Sequence, residues 1–139
     1  MSEVHPKAEE ISEKVRNILS EFPLHRPEHQ VNVRITGGDI ILLNYRTTKQ
    51  NIPFGSTHFD IQIYSNTCFL LEIELEEKER GKDLGKKLYK TVEEIARSLD
   101  CKRVVMCPSG KTITGKSRRD YVKDLGYHDL NLIEVEKIL

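Results

Sequence analysis

Leu71-Glu72-Ile73-Glu74-Leu75, then Arg80-Gly81-Lys82-Asp83-Leu84-Gly85 and Lys86-Lys87-Leu88, read as a strand, a glycine-rich turn and the opening of a helix. Apolar and acidic residues alternate in the strand, and its period of two puts Glu72 and Glu74 on one face. Leu84, Leu88, Val92, Ile95 and Leu99 then recur at steps of three and four, which predicts a helix of about four turns. A Glu93 to Arg97 pair at i,i+4 supports that helix. A glycine-rich turn at a helix N-terminus presents unpaired N–H groups and the positive end of the helix dipole, which suit a phosphate or pyrophosphate. Arg80, Lys82, Lys86 and Lys87 reinforce that sign. An ordinary strand-to-helix turn with a solvated basic face uses the same residues, so both readings stand at this level.

Downstream, Val104-Val105-Met106-Cys107 is a short, wholly apolar run, as in a strand buried on both faces. Ser117-Arg118-Arg119-Asp120 has the form of a capping box and opens a helix to Leu125, with Gly126 as its stop. Residues 127 to 139 supply a last strand, in which the phase shift at Leu132-Ile133 marks a bulge. Upstream, Phe59, Ile61 and Ile63 alternate with Asp60 and Gln62, and Ser65-Asn66-Thr67 turns that strand into the one ending near Leu75. Val31, Val33 and Ile35 alternate with polar residues, and Gly37-Gly38 leads into Ile40-Ile41-Leu42-Leu43, which predicts a hairpin with a two-residue glycine turn. Arg46 to Thr57 contains Pro53 and Gly55 without a period and reads as a loop.

Ahead of the sheet, Ala8, Ile11, Val15, Ile18 and Phe22 predict an amphipathic helix with Pro6 in its first turn. Its narrow stripe suits packing on the sheet or pairing with a second copy in a homodimer. His25 and His29 have the spacing of a helical metal pair, but Pro27 between them argues against a helix and no third ligand lies nearby, so no metal site is expected. The order α-β-β-β-β-α-β-α-β is an antiparallel four-stranded meander passing into a β-α-β unit. That predicts a mixed α/β (α+β) sheet with helices on both faces.

The chain of 139 residues fits one domain, residues 1 to 139. Its 22 basic and 22 acidic residues cancel, which argues against a basic nucleic-acid binder and an acidic disordered tail. No run approaches ~18 apolar residues, and the start has neither a basic n-region nor an apolar h-region. A soluble cytoplasmic protein without a membrane partner is expected. Cys68, Cys101 and Cys107 lack C-x-x-C spacing and read as free, buried thiols in a reducing compartment. Gly110-Lys111-Thr112-Ile113-Thr114-Gly115-Lys116-Ser117 matches the phosphate loop G-x-x-x-x-G-K-[ST] in full. Only one strand follows it, however, so a parallel nucleotide-binding sheet cannot be completed there.

Residues 71 to 88, the strand at 104 to 107, the helix at 117 to 125 and the ending Leu125-Gly126-Tyr127 together resemble the GCN5-related N-acetyltransferases. The family's acetyl-CoA motif is Arg or Gln, two residues, Gly, one residue, then Gly or Ala, opening the central helix. The resemblance covers residues 58 to 127. It implies acetyl-CoA as acyl donor and a small-molecule or peptide amine as acceptor. Its pantetheine chain would lie along Ile73 and Leu75, and its pyrophosphate would be held by Arg80, Gly81, Lys82, Asp83, Leu84, Gly85 and Lys86. It further implies direct attack of the amine on the thioester, with Glu72 or Glu74 as base and Tyr121 as the nearby phenol for the acid role. An exposed polar strand face is the other reading of the two glutamates, and core packing that of Tyr121. A non-catalytic CoA-binding or protein-interaction module on the same fold is the alternative to an enzyme.

The sequence departs from the family pattern at identifiable positions. Asp83 stands where the motif has glycine, and as an N-cap it is expected to accept hydrogen bonds from the amides of Gly85 or Lys86. The family's acid Tyr falls on Val122, with Tyr121 about 100° round the helix, and its preceding Asn and Ala fall on Gly115 and Arg118. The two helices that separate the family's first two strands and frame the acceptor site have no counterpart around Gly37-Gly38.

Overall fold

Each alternating run becomes a strand in the computed structural model, which describes residues 6–48, 56–112 and 115–139. The strands are β1 (Gln30–Thr36), β2 (Ile40–Arg46), β3 (His58–Tyr64), β4 (Thr67–Glu74), β5 (Arg103–Met106), β6 (His128–Asp129) and β7 (Val135–Ile138). The helices are α1 (Pro6–Leu19), α2 (Leu84–Ser98) and α3 (Arg118–Asp124). One mixed sheet runs in the order β1-β2-β3-β4-β5-β7-β6. Strands β1 to β4 form the antiparallel meander, and β5 joins β4 in parallel across the α2 crossover. Among the described residues, no helix is long and apolar enough to cross a membrane.

Register places Tyr45, Phe59 and Ile73 in one row and Leu43, Ile61, Leu70 and Met106 in the next, all on one face. Ile11, Val15 and Leu19 of α1, Leu88, Val92 and Ile95 of α2 and Val122 of α3 join those rows in a single hydrophobic cluster. The expectation of helices on both faces is therefore corrected: the three described helices share one face. Two successive right-handed crossovers in the same direction, from β4 to β5 and from β5 to β6, put α2 and α3 on one side. Helix α1 then packs against β1 and α2, so its apolar stripe is buried in the chain's own core. The opposite face carries a polar row in which Asn32 Nδ2 donates to Asn44 Oδ1 at 3.2 Å and Asn44 Nδ2 donates to Asp60.

Three local readings change. The β1–β2 connection is a three-residue loop, Gly37 to Asp39, with positive φ at Gly38 and Asp39. Residues 127 to 139 hold two short antiparallel strands, β6 and β7, in place of one bulged strand. The loop between them is closed by Leu130 N–H to Glu134 O at 2.9 Å and tied by Arg119 to the carbonyls of Asn131 and Ile133. The register shift lies elsewhere, between β3 and β4: Asp60 pairs with Glu72 and Ile61 with Leu70, so Leu71 is the extra residue. Of the cysteines, Cys68 and Cys101 are buried as expected, while Cys107 is exposed past the end of β5.

Glu93 is also corrected. It is buried at 4% exposure, and its carboxylate accepts from Tyr127 Oη at 3.0 Å and Lys137 Nζ at 2.9 Å in place of the surface pair with Arg97.

The two-proline connector fastens α1 to the sheet through Tyr45, whose hydroxyl lies 3.3 Å from His25 Nδ1 and 2.9 Å from His29 Nδ1. His29 Nδ1 also accepts from the Arg26 amide at 3.0 Å, so that nitrogen must be unprotonated. Burial lowers the pKa of both rings, and for His25 the neighbouring His29, Arg16 and Arg26 lower it further. A pKa lowered by folding gives stability that is present above the ordinary value near 6.5 and lost as pH falls through the folded-state values. Thermal melts are expected to show a falling Tm between about pH 7.5 and pH 5. The paired replacement His25→Gln and His29→Gln should flatten that slope, and an unaltered slope would exclude this pair as its source.

Candidate functional site

Strand β5 pairs with β4 only from Thr67 to Leu70, ending at Met106, whereas β4 continues to Glu74. A cleft of about 280 Å³ opens beyond that divergence, against Ile73, Glu74 and Leu75 on one side and the start of α2 on the other. Six of the nine cofactor candidates line it: Ile73, Leu75, Arg80, Gly81, Asp83 and Gly85. The other three do not. Leu84 turns into the core at 8% exposure, Lys82 lies beside Glu79 at 3.4 Å, and Lys86 is exposed outside the lining.

The start of α2 is built for backbone donation. Gly81 (φ 82°) and Asp83 (φ 61°, ψ 10°) are both left-handed, a conformation in which successive N–H groups converge on a concavity suited to anions. Helical bonding at this end is seen first in Lys87 N–H to Asp83 O at 3.3 Å, so the amides of Leu84, Gly85 and Lys86 precede it. Asp83 occupies the N-cap position, yet its carboxylate makes no capping hydrogen bond. A capping residue ordinarily has extended φ/ψ, and the left-handed backbone here prevents the expected bond to Gly85 or Lys86. Arg80 is fixed by Nε to Leu75 O at 3.1 Å and lies 3.8 Å from Glu74.

Five lining residues, Leu88, Tyr89, Lys111, Thr112 and Arg118, were missed by sequence reasoning. Arg118, the first residue of α3, reaches across the cleft and donates from Nη1 to Ile73 O at 3.2 Å. It also bonds Tyr89 of α2, whose phenol burial pushes up to about 12. The signal for Arg118 was a long cation at a family Ala position. Lys111 and Thr112 come from the phosphate-loop-like stretch, whose residues 113 and 114 lie outside the described segments. That stretch folds back on itself, with a Lys111–Ser117 bridge and Thr112 N–H to Lys116 O at 2.8 Å. Lys116 is drawn to Asp124, and Ser117 Oγ accepts from Asp120 N–H at 3.1 Å as its capping box predicts. Tyr121 lines the cleft with its hydroxyl over Gly85, 3.2 Å from where a Cβ there would stand. Burial raises its pKa, and the Asp83 charge raises it further.

Glu72 and Glu74 do share a face, and it is the one opposite the helices, in register with Asp60 and His58 of β3. His58, Glu72 and Glu74 bring one ligand atom each within 4.8 Å of the others. Glu72 Oε1 is 2.9 Å from His58 Nε2, with the Glu72 side chain 54% exposed, while Glu74 faces the cleft beside Arg80. His58 was missed because at a strand end it reads as one more half-buried polar residue. The arrangement sets a backbone-lined, cation-flanked cleft beside two carboxylates and an imidazole on the open face.

A family model for GNAT acetyltransferases matches residues 19–127. No curated protein sequence matches. Among solved structures, an acetyltransferase from Bacillus cereus is similar at 15% identity and a TM-score of 0.52, covering 100% of this chain and 97% of its own. A GNAT-family acetyltransferase from Staphylococcus aureus is similar at 14% identity and 0.51, covering 100% and 97%. The PaiA N-acetyltransferase of Thermoplasma acidophilum, solved in complex with coenzyme A, is similar at 17% identity and 0.51, over 72% of this chain and only 61% of that one.

Proposed function

The chain belongs to the GNAT family of acetyltransferases, and from that premise we propose that it transfers the acetyl group of acetyl-CoA to a small-molecule or peptide amine. One observation supports this above the others: the divergence of β4 from β5 ends in a helix start whose first amides precede the helical ladder. A helix start of that kind fits a pyrophosphate. Ile73 and Leu75 offer strand backbone to an extended amide-bearing chain, and Arg118, now bonded to Ile73 O, gives up that carbonyl. The thioester supplies an activated acyl carbon. The amine nitrogen bonds to it as the carbon–sulfur bond breaks, the electron pair leaves on sulfur, and the nitrogen's proton passes to Glu72. Tyr121, kept protonated by burial and by Asp83, is the phenol offered to the sulfur.

Calorimetric titration with acetyl-CoA tests the donor, and CoA-thiol release with benzylamine and a short peptide α-amine tests the transfer. No heat and no Tm shift at about 1 mM acetyl-CoA would sink the donor assignment, since binding only to the folded state must stabilise it. Asp83→Gly sharpens the test. A carboxylate about 5 Å from a phosphate costs roughly 1 to 3 kcal/mol at effective dielectrics of 80 to 20. Gly also adopts the left-handed conformation at position 83 without the penalty of a Cβ. Binding is expected to tighten by about tenfold with stability unchanged or higher. Equal or weaker binding would mean that no phosphate lies beside residue 83.

A further inference from the structure

We propose that His58 is a positioning residue for the acid–base step: its Nε2–H holds Glu72 Oε1, leaving Oε2 toward the acceptor. This rests on the acyltransfer reading above and concerns the same face of the sheet. His58 is 2% exposed, yet its register row, Arg46–His58–Glu74, lies on the face away from the helices. Packing against the helices therefore does not explain its burial.

Among the described residues the buried imidazole has one short contact, 2.9 Å from Nε2 to Glu72 Oε1. Its Nδ1 faces the fully buried Ser56 Oγ at 3.4 Å. A carboxylate accepts only, so the bond requires the proton on Nε2. Glu72 follows the extra residue Leu71 at the place where β5 leaves β4. A glutamate on an open face has side-chain freedom of up to about 2 kcal/mol to lose on ordering. A partner that cannot leave the interior removes that freedom before substrate arrives. The groups facing His58 are Arg46, Glu72 and Glu74, and Glu74 is drawn toward Arg80. Glu72 is thus the carboxylate the imidazole orients. Small misplacements of a reacting group cost about 100-fold in rate, which sets the scale of what this bond protects.

The test compares wild type, His58→Ala and His58→Gln, using benzylamine and a short peptide α-amine as acceptor probes. His58→Ala is expected to lower kcat by about 10- to 100-fold, with KM and the calorimetric Kd for acetyl-CoA within about twofold. Gln has an amide N–H for the carboxylate, so His58→Gln should recover kcat to within about threefold of wild type. Nitrogen-15 NMR of wild type should find a proton on His58 Nε2, independently of turnover. Unchanged kcat in His58→Ala, equal losses in both variants, or an unprotonated Nε2 would each overturn the proposal while wild type still turns over. A wild type that turns over neither probe removes the acyltransfer reading and this role with it. Should His58→Ala fail to fold by circular dichroism, His58→Gln and the NMR result decide.

Discussion

Replacing Glu72 by Gln is expected to lower kcat by about 100- to 10,000-fold, the range over which a positioned base accelerates proton transfer, while acetyl-CoA affinity stays nearly unchanged. The separation follows from where the residue lies. Glu72 does not line the cleft, so it has nothing to give the donor, and a group used only in the chemical step lowers kcat and kcat/KM together. Gln keeps the size and an acceptor for His58 but cannot take a proton. Glu74→Gln should behave differently, because Glu74 lines the cleft and sits 3.8 Å from Arg80. Its loss is expected to act mainly on donor binding. The measurement is CoA-thiol release with benzylamine alongside calorimetry for each variant and the double variant. Equal turnover in all three would remove both carboxylates from the chemistry.

What the sequence made legible was what is local. The alternation through β4, the glycine-rich turn at residues 80 to 85 and the apolar period of α2 are set by neighbours within a turn or a strand. Six of the nine residues named for the donor face the cleft because their spacing along one strand and one helix start dictates it. The helix faces were misread because the crossover hand and a first helix folded back onto α2 are properties of topology. Arg118 meets Ile73 across 45 positions and His58 meets Glu72 across 14, and Lys111 joins the cleft lining from beyond β5, so all three enter the site only through the closed sheet. Asp83 failed as a cap for a finer reason: residue type suggested the bond, and backbone conformation withheld it. Glu93 shows the same limit, since its spacing from Arg97 is ideal for a surface pair while three-dimensional packing turns it inward.

That inward turn carries the largest expected stability effect. Glu93 Oε1 accepts from Lys137 Nζ at 2.9 Å and Oε2 from Tyr127 Oη at 3.0 Å, and Lys137 also donates to Leu125 O at 2.9 Å. One carboxylate on α2 thereby joins β7 to the end of α3, with burial and the Glu93 charge raising the Tyr127 phenol's pKa. Lys137→Met removes the cation and leaves the anion buried with only a phenol for company. Removing one partner of a buried pair costs about 3 to 5 kcal/mol. Because the Lys137 side chain is 26% exposed, water can reach the site, and the lower end, about 3 kcal/mol, is expected. For a chain of this size that is a fall in Tm of about 10 °C. The control is the double variant Glu93→Leu with Lys137→Met, which removes both charges and is expected to recover most of the loss, since apolar replacement of a buried pair is often neutral or better. Calorimetric melts distinguish the cases: a single variant as stable as wild type would mean that solvent already screens Glu93, and a double variant as unstable as the single would place the cost in lost packing.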